Sequence, residues 1–202
     1  MKTDVIAVSS KETQIEKALA QVEKVTVYKG LSEKNALHLR LLAEEMMGMI
    51  RSITGETEGE FWIEDTDDVY QLHLRVVTRM NSGKRDQLLS AASTGKNESA
   101  KGLMGRLRDF FDRGADEDVS AFTSPLMLPE MYAGSTTPTL DWEWSMVRYE
   151  DELSARIRRD DGQAREAWDE LEKSVVAHVA DDVMVSIRGG QVEMTILKKL
   201  TA

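Results

Sequence analysis

Residues 31–79 read LSEKNALHLRLLAEEMMGMIRSITGETEGEFWIEDTDDVYQLHLRVVTR, and the two periodicities in this stretch decide the fold. In the first half, Leu39, Leu42, Met46, Met49 and Ile53 recur at intervals of three, four, three and four. On a helix those side chains form one apolar stripe. Ser32 is placed to cap it, with Lys34 and Asn35 in its first turn, and Gly55 to stop it. In the second half the period drops to two. Phe61 and Ile63 alternate, then Tyr70, Leu72, Leu74, Val76 and Thr78 alternate with Gln71, His73, Arg75, Val77 and Arg79. Such alternation predicts strands with one face buried. The acidic link Glu64-Asp65-Thr66-Asp67-Asp68 reads as a solvated hairpin turn.

Working outward toward the N-terminus, residues 5–8 form a short β-like run. Ile15, Ala18, Leu19, Val22 and Val25 then predict an amphipathic helix over about 12–25, with Gly30 as its stop. Toward the C-terminus, 80–98 is polar and loop-like, with a short helix around Leu88 and Leu89. Ala100, Leu103, Leu107 and Phe110 make a further helical stripe. All three prolines fall in 115–141, which reads as irregular and, with the helical stretch after it, as an insertion over about 115–160. Helical spacing returns with Met146, Glu150, Leu153 and Ile157, pauses at Asp160-Asp161-Gly162, and resumes from Ala164 to Val179. Val183, Val185 and Ile187 and then Val192, Met194 and Ile196 flank Gly189-Gly190, a tight-turn signal for a closing hairpin. The order lacks regular βαβ alternation. It predicts a single α/β domain of the α+β two-layer kind, spanning 1–202, with a mixed, mostly antiparallel sheet and helices packed on one face.

Bulk properties narrow the function. The chain has 202 residues, 41% hydrophobic and 31% charged, as expected of a globular domain. It contains no cysteine, which removes disulfides and thiolate metal sites. No leader-like or membrane-length apolar run occurs, so the expected location is the cytoplasm, with no membrane partner. A formal charge of −10 argues against nucleic-acid binding, and the basic stretch 84–113 could face a phosphate or an acidic partner, although a solvated helix face is the simpler reading. His38, His73 and His178 fall on different elements and read as surface or internally satisfied residues, so no metal site is expected. Met46, Met47 and Met49 could line a ligand pocket, although core packing is the simpler reading. Trp62 and Trp168 read as core or sheet-face residues, whereas Trp142, Trp144, Met131 and Tyr132 stand as interface residues beside the insertion.

Three stretches together resemble the histidine-kinase-like ATPase fold, in the compact form of bacterial anti-sigma factor serine kinases. They are the second helix with Leu42-Ala43-Glu44-Glu45-Met46-Met47-Gly48-Met49, the hairpin 60–79, and the ending from Asp181-Asp182-Val183 to Lys198-Lys199-Leu200. About half the chain is covered, and 115–160 has no counterpart in the family. In active members a helix carboxylate acts on water, and an Asn one turn later binds magnesium. The resemblance puts Glu44 or Glu45 at the carboxylate, depending on register, and Gly48 or Met49 at the Asn. Neither of the latter offers the hard oxygen that magnesium requires. The family's Asp-x-Gly-x-Gly box follows the strand, and its Asp receives the adenine amino group. Here Thr78 and Met80 stand at the Asp and first Gly, with Gly83 beyond them. A second glycine box has a counterpart in Gly95-Lys96 and Lys101-Gly102-Leu103-Met104-Gly105, where backbone N–H groups could hold phosphate.

The resemblance therefore implies a signalling scaffold whose nucleotide site is degenerate. The expectation is a non-catalytic, regulatory protein-interaction module with a protein partner and no cofactor, with homo-oligomerisation also compatible. The alternative is an ATP-binding protein or anti-sigma-like serine kinase with unusual nucleotide contacts. It would use Glu44 or Glu45 as the base, with ATP held without an ordinary magnesium site. A third reading keeps the pocket but gives it another small ligand, lined by Met49, Thr78, Met80 and the 95–105 loop.

Overall fold

A computed structural model describes residues 1–9, 12–54, 58–77, 142–188 and 191–200. The expected helices near 88 and over 100–110, the irregular region 115–141, and the glycine signals at 55 and 189–190 lie outside these residues. The described chain runs β1 (Ile6–Ser9), α1 (Glu12–Lys29), α2 (Glu33–Thr54), β2 (Glu58–Thr66), β3 (Val69–Val77), β4 (Trp142–Ser145), α3 (Met146–Ile157), α4 (Gly162–Leu171), α5 (Val175–Val179), β5 (Asp182–Arg188) and β6 (Gln191–Lys199). The six strands form one sheet in the order β1-β2-β3-β6-β5-β4, and every pairing among them is antiparallel. The fold is α+β, as the patterning predicts. No described helix is long and apolar enough to cross a membrane.

The helix boundaries follow local chemistry. Gly30 adopts φ +62°, donates to the Val27 carbonyl, and lets Leu31 donate to the Thr26 carbonyl. This pair of bonds closes α1 with a left-handed glycine, where an L side chain would be strained. Two residues later the Ser32 hydroxyl accepts from the Asn35 N–H at 3.3 Å and starts α2. Ser145, Asp161 and Ser174 cap α3, α4 and α5 in the same way.

The α2 stripe lies against the sheet. Leu39, Leu42, Ala43 and Met46 are fully buried, with Met47 and Met49 nearly so. Each large side chain contributes roughly 1.5–3 kcal/mol by leaving water. Beneath them one sheet face presents Phe61 and Ile63 of β2, Leu72 and Leu74 of β3, Met194 and Ile196 of β6, and Val183 and Val185 of β5, all in the core. Register aligns them, with Ile63 opposite Leu72, Leu72 opposite Ile196, and Ile196 opposite Val183.

Two findings depart from the sequence reading. The hairpin turn between β2 and β3 is only Asp67-Asp68, with φ +49° and +66°, and Thr66 faces Val69 across it. A two-residue turn with both residues left-handed matches the twist of the flanking strands, and Asp tolerates that conformation. Glu64 and Asp65 are therefore strand residues, and Asp65 is buried rather than solvated. The second departure is a sixth strand. Residues 142–145 pair with β5, and Ser145 passes directly into α3. Asp182 of β5 fastens this corner, accepting from the Ser145 hydroxyl at 3.0 Å and the Val147 N–H at 3.2 Å. The run Trp142-Glu143-Trp144-Ser145 does alternate apolar with polar, a strand signal that the sequence reading passes over beside the irregular region.

Candidate functional site

The second half of α2 carries the described part of the expected site. Successive helix residues point about 100° apart. With Ala43, Met46 and Met47 turned to the core, Glu44 is exposed and Glu45 half-buried at the boundary. The Glu44 carboxylate lies 3.2 Å from Arg40 Nε, one turn back on the open face. Gly48 sits one turn after Glu44, also exposed, and a Cβ added there would meet no heavy atom of the described residues within 4 Å. Met49, one turn after Glu45, is only 5% exposed and belongs to the core cluster. Each carboxylate is thus followed either by a residue without a side chain or by a buried thioether. Neither pairing supplies an oxygen ligand.

The other expected nucleotide contacts, Thr78, Met80, Gly83, Gly95, Lys96, Lys101, Gly102 and Gly105, lie outside the described residues, as do Met131 and Tyr132. Of the tryptophans nominated for an interface, Trp142 belongs to β4, opposite Ile187 in the register. Trp144 is half-buried, with its ring 6.0 Å from that of Tyr149, and packs against the core.

A second constellation was not foreseen, on the sheet face opposite the helices. Register sets Trp62, His73, Thr195, Met184 and Ser145 in one row across β2, β3, β6, β5 and β4. Trp62 and His73 stack with centroids 4.8 Å apart and planes within 1°. Arg75 and Lys2 place their cations 4.8 and 5.4 Å from the Trp62 ring, and the indole N–H donates to Glu64 at 2.8 Å. His73 Nδ1 lies 3.1 Å from the Thr195 hydroxyl and 3.6 Å from Glu193, while Nε2 is buried without a hydrogen-bond partner among the described residues. Burial pushes the His73 imidazole below its ordinary value against the opposing pull of Glu64 and Glu193. The bond from Lys2, then that from Trp62, holds the Glu64 carboxyl below the usual range. Arg75 ties the row to its neighbours, 3.1 Å from Glu193 and 3.6 Å from Glu60.

This arrangement fixes and screens an aromatic pair. It does not form a nucleophile–base relay, because the hydroxyl and the carboxylate both approach the same ring nitrogen. The sequence signal was the run of polar and aromatic residues at 62, 64, 73 and 75, all out of phase with the apolar face.

On the helix side, Asp65 is the third polar focus. Its carboxylate is 2.6 Å from Lys29 Nζ at the end of α1 and 3.3 Å from the Met1 ammonium. Burial pushes the Asp65 carboxyl up, but the bonds from Lys29 and Met1 outweigh it and leave the group below its usual value. Burial, and then the Asp65 charge, raises Tyr70 beside it. These contacts bolt the end of α1 and the N-terminal segment to β2.

No family model, curated protein or solved structure matches this chain.

Proposed function

We propose that this chain is a non-catalytic regulatory module on a histidine-kinase-like ATPase scaffold, acting in cytoplasmic signalling by contact with a protein partner. The observation that carries the reading is the geometry one turn beyond the α2 carboxylates. Gly48 offers no side chain at that position, Met49 is held in the core, and Glu44 is engaged by Arg40. A metal–nucleotide pair would lose its protein oxygen ligand there, and with it a contact to a charged group of about 1.5–3 kcal/mol.

Calorimetric titration of the full chain with ATP and magnesium tests this, with melting temperature as a second readout. The expected result is no heat of binding and no magnesium-dependent rise in melting. Micromolar affinity would overturn the proposal in favour of the ATP-binding, serine-kinase-like alternative. Gly48→Asn extends the test by offering the missing oxygen on an exposed helix face where a side chain meets no obstruction among the described residues.

A further inference from the structure

A cleft of about 680 Å³ runs between the segment leading into β1 and one side of α1. Its helical wall is Lys17, Gln21, Lys24 and Tyr28, at spacings of four, three and four, so the four side chains share a face distinct from the core stripe. Gln21 holds the two walls together by donating to the Asp4 carbonyl at 2.7 Å and to the Thr3 hydroxyl. Lys17 and Lys24 are exposed and, among the described residues, make no ion pair. Lys2, on the opposite wall, adds a third cation, already shared with Glu64. The acidic residue lining the cleft is Asp4. Lys17 and Lys24 therefore offer this cleft two exposed cations in a chain of net charge −10.

The surroundings are apolar as well as basic. Of the eight exposed large hydrophobic residues among those described, Met1 and Tyr28 line the cleft, Tyr28 at 77% exposure. β1, which contributes Ile6 to the cleft, is an edge strand, paired only with β2 among the described strands. A strand edge beside a helix, with basic and apolar side chains between, accepts an added extended chain through main-chain bonds, and its side chains select charge.

We propose that this cleft is the docking groove for an extended, acidic peptide segment of a partner protein. The proposal rests on the interaction reading above and gives that interaction a place and a chemistry. The aspartates and glutamates of the segment would face Lys17 and Lys24, and its intervening apolar side chains would cover Tyr28 and Ile6.

The experiment uses the full chain and two fluorescein-labelled peptides, one alternating glutamate with valine and the other alternating lysine with valine, read by anisotropy at low and at physiological salt. The glutamate peptide is expected to bind, with affinity falling as salt rises, and the lysine peptide is not. Lys17→Glu with Lys24→Glu should weaken binding by about tenfold or more without changing the melting temperature, since neither side chain holds the fold. Lys17→Arg with Lys24→Arg should preserve it.

Equal binding to the double glutamate variant, or no binding of the glutamate peptide to the unaltered chain, overturns the proposal. So does sedimentation showing a dimer that the glutamate variant dissolves, which would assign the groove to a second copy. ATP binding would defeat the non-catalytic reading and leave the groove standing, so the two failures are distinguishable.

Discussion

Replacing Gly48 by alanine tests the geometry on which the functional reading depends. Gly48 lies inside the 22-residue helix α2, on its exposed side, and a Cβ added there meets no heavy atom of the described residues within 4 Å. Alanine therefore brings neither a clash nor new packing, and the change reduces to backbone entropy and helix propensity. In a helix interior that difference is about 0.8–1 kcal/mol in favour of alanine. For a domain of this size it corresponds to a rise in melting temperature of roughly 2–4 °C. The assay is urea unfolding followed by circular dichroism, with the midpoint rising and the slope unchanged. A neutral or destabilising result would refute the reasoning. It would mean that another part of the molecule occupies the space beside Gly48, and the site would then not be bare at that position.

Three further outcomes follow from the packing and the polar clusters. Leu42→Ala empties a fully buried position between α2 and the sheet, and should cost about 2–5 kcal/mol in urea unfolding; a loss below about 1 kcal/mol would contradict that placement. Lys29→Met removes the closer of the two cations beside buried Asp65 and should lower the urea midpoint near neutral pH. Because the Asp65 carboxyl is held below 3.8 in the fold, its contribution is present above that pH and fades as pH falls through the folded value, so the gap between variant and parent should close in acid. His73 is held below 6.5 by burial, so the unfolded chain takes up a proton before the folded one, and stability falls as pH drops from 6.5 through the folded value. His73→Phe keeps a ring against Trp62 and removes the titration; stability curves of equal slope for parent and variant over that window would refute the assignment.

The sequence by itself determined the kinds of element and most of their order, because both signals are local. A stripe at 3.6 residues and an alternation at two depend only on which side of a helix or strand faces the core. Leu39 to Met49, the alternation in β3, the Ser32 cap and the Gly30 stop were legible for that reason, and so was the two-layer architecture. Within the candidate site, the pairing of Glu44 or Glu45 with Gly48 or Met49 was legible too, since one turn of helix separates them. That Gly48 is on the exposed side of α2 while Met49 is in the core was not.

Tertiary structure alone decided which polar groups are taken out of water. Asp65 looks like part of an acidic turn until Lys29, 36 residues earlier, is brought against it. His73 meets Thr195 across 122 residues of chain, and β4 becomes a strand because β5 pairs with it. The groove along α1 likewise exists only because the first residues lie beside that helix. A buried charge or an edge strand is held by partners that sequence distance does not reveal, and the energy that holds it exists only once those partners meet.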